Sequence, residues 1–153
     1  MSASQAAGRD PGTIDIRALV PHAGLMCLLE QLLAWDDAQV LLGSRTHQRA
    51  DHPLRRAGRL DALHLCEYGA QAMAVHGGLL ARRDGARAQP GMLVSLREVQ
   101  LAGVDLALLP GPLRIGARRL HGDAGGWQYS FDAWHGTQLL AKGRAAVVLR
   151  AAG

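Results

Sequence analysis

Aromatic residues are scarce in this chain. They make up 4% of its 153 residues, so the core has to be built from Leu, Val and Ala. The same scarcity leaves few ring faces on which nucleic-acid bases could stack. Cysteine is scarcer still. Cys27 and Cys66 are the two present, and they fall at no metal-type spacing. Each sits in apolar surroundings, where a buried free thiol is expected, and a cytoplasmic, reducing compartment fits that state. No apolar run reaches the ~20 residues of a membrane-spanning helix. There is no G-x-S-x-G, no P-loop, no G-x-G-x-x-G between a strand and a helix, and no zinc spacing. No internal repeat is visible.

Apolar residues are plentiful at 48%, enough for a sizeable core. The length suits one domain. Residues 1–12 are rich in Ala, Ser, Gly and Pro and have no apolar centre. They read as a disordered tail rather than a secretory signal, which leaves residues 13–153 as one domain. Glycine is abundant at 19 residues, a sign of tight turns and close backbone contacts.

The formal net charge is +4. Much of the excess is arginine, in groups at Arg55, Arg56 and Arg59, at Arg82, Arg83 and Arg87, and at Arg114, Arg118 and Arg119. Nucleic-acid binding is one reading of such charge. With few aromatics and no basic helix or recognised motif, no nucleic-acid partner is expected. A surface that docks an acidic protein or a phosphate-bearing carrier accounts for the charge, and so does a solvated basic exterior.

Element by element, Ile14 to Leu19 is a short apolar piece of one or two helical turns ended by Pro21. Met26 to Trp35 and Val40 to Thr46 flank a turn at Asp36-Asp37 and form a candidate hairpin. The Leu-rich first run leaves helix open. His47 to Asp61 is polar and irregular, a loop. Leu63 to Arg83 is the long helix, with Asp61 as N-cap and Asp84-Gly85 as its stop. Ala70, Ala74, Gly77, Gly78 and Ala81 give it a small-residue face, against which another layer is expected to pack. Four strand-length segments follow: Met92 to Leu101, Leu113 to Leu120, Trp127 to Trp134 and Gln138 to Leu149. Trp127, Tyr129 and Phe131 alternate onto one sheet face. One helix among antiparallel strands predicts an α+β domain, the helix wrapped by a curved sheet.

The helix carries the most informative residues. Glu67 and Gln71 lie four apart, on one face of an otherwise apolar, small-residue segment. A carboxylate among apolar neighbours is expensive unless paired or working. The plainer reading is a helix whose polar edge happens to carry both.

Two segments resemble a known family. Val20-Pro21-His22-Ala23-Gly24-Leu25-Met26-Cys27-Leu28-Leu29-Glu30 is similar to the L-P-H-R-x-P-x-L-L-x-D opening of FabZ-type β-hydroxyacyl-ACP dehydratases. Glu67-Tyr68-Gly69-Ala70-Gln71 is similar to their helix motif E-A-M-A-Q. The fit is closer to the dehydratases of aryl-polyene-type gene clusters, which read P-H-x-G-x-M-x-L-L-D and G-I-E-Y-x-A-Q-A-x-A. The resemblance implies a hot-dog fold over roughly residues 14 to 149. It also implies a 3-hydroxyacyl chain on the phosphopantetheine of acyl carrier protein, dehydrated to the trans-2-enoyl thioester without a cofactor. The enzyme is implied to be at least a dimer, with itself or with another hot-dog chain.

The implied chemistry needs a base of near-neutral pKa for the C2 proton. It needs a proton donor for the departing hydroxide, a part that a carboxyl group in an apolar tunnel can play. It needs an N–H group for the thioester carbonyl. By resemblance, Glu67 is the carboxyl group and Gln71 its supporting partner. Ala62 and Leu63, at the helix start, supply the N–H group, and His22 lines the site with a structural role.

The base is less easily placed. The family's H-F-P-G-H loop is missing. One register lands beside His52, which makes it the candidate base; another leaves the slot empty and His52 a surface loop residue. His64, three residues before Glu67, could replace it or serve as a partner at the helix start. His64 with Glu67 has no second ligand pair, so no metal is expected. An inactive hot-dog subunit paired with an active paralogue, and a hot-dog thioesterase, are the alternatives the pattern leaves open.

Overall fold

The computed structural model describes residues 14–87 and 91–149. The tail expected over residues 1–12 lies outside them.

The first hairpin forms where the sequence places it. Strand β1, Gln31–Trp35, pairs antiparallel with β2, Gln39–Ser44. The Asp36 carboxylate makes the turn by accepting from the Ala38 and Gln39 N–H groups at 2.8 and 3.0 Å, the habit that makes Asp a turn residue. The expected longer first strand is shorter by several residues. A single 3-10 turn, Gly24–Met26, precedes it, and Gly24 takes a φ of +60° that glycine tolerates best. The apolar piece near the start is also one 3-10 turn, Ile16–Leu19.

Helix α1 runs Leu65–Arg83, introduced by a 3-10 turn at Ala62–His64. Asp61 caps that turn through its carboxylate, which accepts from the Leu63 N–H at 2.8 Å. At the other end the chain closes a Schellman motif. Gly85 sits at φ +70°, Ala86 N–H donates to Ala81 C=O at 2.8 Å, and Gly85 N–H donates to Arg82 C=O at 3.2 Å.

The four later strands are β3 Gly91–Leu101, β4 Leu113–Asp123, β5 Gly126–His135 and β6 Gln138–Leu149. The six strands of the described residues form one antiparallel sheet in the order β1-β2-β4-β5-β6-β3. The sheet wraps α1, which is the hot-dog arrangement. Tyr68, Leu65 and Leu79 on the helix meet Leu42, Ile115 and Phe131 of the sheet in one core. Burying each such Leu contributes about 1.5–3 kcal/mol.

The helix glycines divide their work. A Cβ on Gly69 would stand 2.7 Å from the Phe131 ring, so the ring occupies that space. Gly78 receives Leu19 in the same way, with the nearest atom at 3.1 Å. Ala70, Ala74, Gly77 and Ala81, expected to meet a packed layer, line a groove instead and stay half-buried. Small side chains here keep the groove open.

Strand β3 forms a sheet edge with an unusually apolar exterior. Met92, Leu93, Val94, Leu96 and Leu101 are 40–52% exposed. Such an edge is normally covered or blunted with charge.

Candidate active site

Gln71 fastens the opening loop to the helix. Its side chain is fully buried, and its oxygen accepts from the Leu28 N–H at 2.9 Å. Its amide nitrogen donates to the Met26 carbonyl at 2.6 Å and reaches Glu67 Oε1 at 3.5 Å. Because buried amides left unpaired cost about 1–3 kcal/mol, these contacts hold the loop in one register against α1. The Cys27 thiol adds a contact to the His22 carbonyl at 3.2 Å.

That register brings His22 to Glu67. His22 Nε2 lies 2.8 Å from Glu67 Oε1, and each side chain is about one-third exposed, at 31% and 34%. The other ring nitrogen, Nδ1, is buried and has no hydrogen-bond partner among the described residues. Both residues open onto a groove of about 860 Å³ that runs along the small-residue face of α1. An imidazole and a carboxyl group in contact at the mouth of a mostly apolar groove can share and exchange one proton.

His52 is held in different company. It is buried, and its ring stacks near Tyr68 with centroids 6.2 Å apart. The Leu54 N–H donates to its Nδ1 at 3.1 Å, which puts the proton on Nε2, 3.0 Å from Tyr68 Oη. The phenol is 2.7 Å from the Thr46 hydroxyl, which donates to the Leu28 carbonyl at 2.7 Å; Ser44 donates to the same carbonyl at 2.6 Å. Burial, assisted by the Arg55 charge, lowers the His52 pKa to about 4. Desolvation pushes the Tyr68 hydroxyl up to about 12. The run of donors from His52 thus ends on Leu28, whose N–H is held by Gln71. It braces the site from behind.

The remaining candidates at the helix start stand apart from the pair. The Leu63 N–H is engaged by Asp61, its side chain is 54% exposed, and Ala62 is buried. His64 ends the 3-10 turn and does not border the groove. Among the described residues, no group of three or more His, Cys, Asp or Glu could hold a metal. Both cysteines are free thiols, and among the described residues no helix is long and apolar enough to cross a membrane.

Sequence reasoning passed over Tyr68 and Thr46, and it gave His22 only a lining role. The signal for Tyr68 was its place beside Glu67 in the helix motif. Thr46 carried none, since its partner arrives from a distant part of the chain. The far end of the groove was also missed. There Arg119, Trp127 and Tyr129 come together, and only the alternation along β5 pointed to it.

Comparison with known proteins agrees with this architecture. The family model ApeP-like, described as ApeP dehydratase, matches residues 14–151. Among curated protein sequences, none matches the chain. Among solved structures, the dehydratase heterocomplex ApeI:P from Xenorhabdus doucetiae superposes with a TM-score of 0.80 at 22% identity, covering 90% of this chain and 92% of that one. AziG of S. sahachiroi superposes with a TM-score of 0.57 at 23% identity, with 87% and 99% covered. A hypothetical thioesterase with coenzyme A from Streptococcus pneumoniae gives 0.56 and 11%, with 78% and 84% covered. At these identities the likenesses concern the fold.

Proposed function

The chain belongs to the ApeP-like dehydratase family, and on that footing we propose that it removes water from a 3-hydroxyacyl thioester carried by acyl carrier protein. The observation that carries this reading is the direct contact of His22 with Glu67 at the groove.

In this reading His22 is the base and Glu67 the acid. As the Glu67 carboxyl turns from His22 to the C3 hydroxyl, His22 Nε2 is freed to take the C2 proton, the C2–H electrons form the C2–C3 double bond, and the C3 hydroxyl leaves with the Glu67 proton as water. The pair is then left as imidazolium and carboxylate. One proton passed back across the 2.8 Å contact restores both partners. His52 is a bracing residue here: its Nδ1 lone pair is taken by the Leu54 N–H and its Nε2 is engaged with Tyr68. Gln71 positions the pair. The Leu63 N–H is held by Asp61, which argues against Leu63 as the donor to the thioester carbonyl and leaves Ala62 for that part.

A second hot-dog chain is proposed as a partner along β3, whose exposed apolar edge supports it. One solved structure that this chain resembles is itself a dehydratase heterocomplex. The exposed arginines of the Arg56–Arg59 turn, with a net charge of +4, suit an acidic carrier protein. The two free thiols suit a cytoplasmic setting.

The test is mass spectrometry of a 3-hydroxyacyl-ACP incubated with wild type, Glu67→Gln, His22→Asn and His52→Gln, alone and with a co-expressed hot-dog partner. Water loss that disappears in the first two variants and persists in His52→Gln supports the assignment. Release of free carrier thiol would mark a thioesterase instead. An intact substrate under both conditions would mark a non-catalytic subunit.

A further inference from the structure

The groove that opens at His22 and Glu67 ends in positive charge. It follows α1 past Ala70, Ala74 and Gly77 to a corner built by Arg119, Trp127 and Tyr129; Asp84 and Arg87 also line the groove. The Arg119 guanidinium carbon lies 3.5 Å from the Trp127 ring centroid and 5.5 Å from that of Tyr129. Stacking of this kind fixes a guanidinium flat against the ring. Its Nε donates to Tyr129 Oη at 3.1 Å. The Tyr129 hydroxyl contacts His76 Nδ1 at 3.1 Å, and His76 Nε2 faces the Asp36 carbonyl at 2.9 Å. With that carbonyl taking the Nε2 proton, Nδ1 accepts from the phenol, and every link of the chain is satisfied without a charge of opposite sign.

Among the described residues Arg119 therefore has no counter-ion. Its terminal nitrogens make no hydrogen bond among the described residues, and no carboxylate there lies within ion-pairing distance. The nearby acids are committed elsewhere. Asp37 and Asp84 pair with Arg83, and Asp36 closes its own turn. A half-buried, pre-oriented guanidinium on a groove wall with free donors is suited to a bidentate oxyanion.

We infer that Arg119, held by Trp127 and Tyr129, recognises an anionic oxygen group carried by the substrate at the far end of the groove. At 1.5 Å of rise per residue, the level of His76 lies about 14 Å along α1 from Glu67. A 3-hydroxyacyl thioester has two long arms reaching away from its reacting carbons. One ends in the phosphate of phosphopantetheine, and the other ends in the terminal group of the acyl chain. Either could set an oxyanion at this distance. The identity of the ligand as a thioester rests on the proposed function; the oxyanion preference of Arg119 does not.

The experiment uses the full chain and three soluble 3-hydroxyacyl thioesters: one of pantetheine, one of phosphopantetheine, and one of pantetheine whose acyl chain ends in a carboxylate. Binding is measured by calorimetry, and water loss is followed in the same samples. Wild type is expected to bind one anionic probe about tenfold or more tightly than the neutral one, as a charge-assisted hydrogen bond allows. In Arg119→Met that ratio falls to near one, and in Arg119→Lys it is intermediate. A preference for the phosphorylated probe identifies the carrier arm; a preference for the carboxylated chain identifies the acyl terminus. No preference in wild type, or one that survives in Arg119→Met, overturns the inference. If Arg119→Met does not fold, a full preference in Arg119→Gln overturns it equally. Water loss without any preference defeats this inference alone. Preference without water loss, when the co-expressed hot-dog partner is also present, defeats the dehydratase reading and leaves Arg119 in its place.

Discussion

His22 Nε2 and Glu67 Oε1 meet at 2.8 Å although one comes from an irregular loop and the other from the first turn of the long helix. The contact depends on Gln71, which sits one turn after Glu67 and grips the backbone of Met26 and Leu28. The helix thus supplies both the acid and the clamp that delivers its partner.

If the pair acts as a unit, Glu67→Gln and His22→Asn each lower kcat/KM by about 100- to 10,000-fold. The double variant is then little worse than either single one, because groups that share one proton transfer are not additive. Steady-state dehydration rates on one carrier-bound substrate check this. Multiplying losses in the double variant would show that the two side chains act separately.

Gln71→Leu removes both ends of the clamp and leaves the Leu28 N–H and Met26 carbonyl without it. The expected loss of stability is about 1–3 kcal/mol, read as a lowered urea midpoint. Dehydration falls as well, since His22 is no longer held. A Gln71→Leu protein with wild-type stability and rate would deny the clamp.

Acid pH should weaken the fold through His52. Its folded pKa, about 4, lies below the ordinary value of 6.5. The unfolded chain therefore binds more protons between those values. Stability from this group is fully present above pH 6.5 and is lost as pH falls towards 4. The amount is of the order of 3 kcal/mol. Burial lowers His47 and His76 in the same direction. Urea midpoints for wild type and His52→Gln across pH 4 to 7 decide the matter, with the flatter curve expected for the variant.

Gly69→Ala should destabilise the domain by about 1–3 kcal/mol, because the new methyl group would sit 2.7 Å from the Phe131 ring. Thermal melts report the loss. Adding Phe131→Leu should recover part of it, and an unaffected melting temperature in Gly69→Ala would mean the ring moves freely.

Val94→Glu places a charge on the exposed edge of β3, where Val94 is 52% exposed. If a second hot-dog chain pairs there, the variant shifts towards monomer in analytical ultracentrifugation while keeping its far-ultraviolet spectrum. An unchanged sedimentation coefficient would place the partner elsewhere.

The sequence by itself determined what depends on neighbours in the chain. The helix is written in a proline-free run rich in Ala and Leu between Asp61 and Asp84-Gly85. The first hairpin is written in the turn at Asp36, and the β5 face in the alternation of Trp127, Tyr129 and Phe131. Capping, turn geometry and side-chain period act over a few residues, so they can be read locally. The alignment of Glu67 with Gln71 follows from the same period. Tertiary structure decided which histidine meets Glu67, and it chose His22, while His52 was drawn into the buried run that ends on Leu28. It also carried β3 to the free edge beside β6, left the small-residue stripe facing a groove, and set Arg119 on Trp127. Those outcomes join residues far apart in sequence. They are settled by packing and by the need to pair every buried polar group, conditions met only once the whole sheet has closed around the helix.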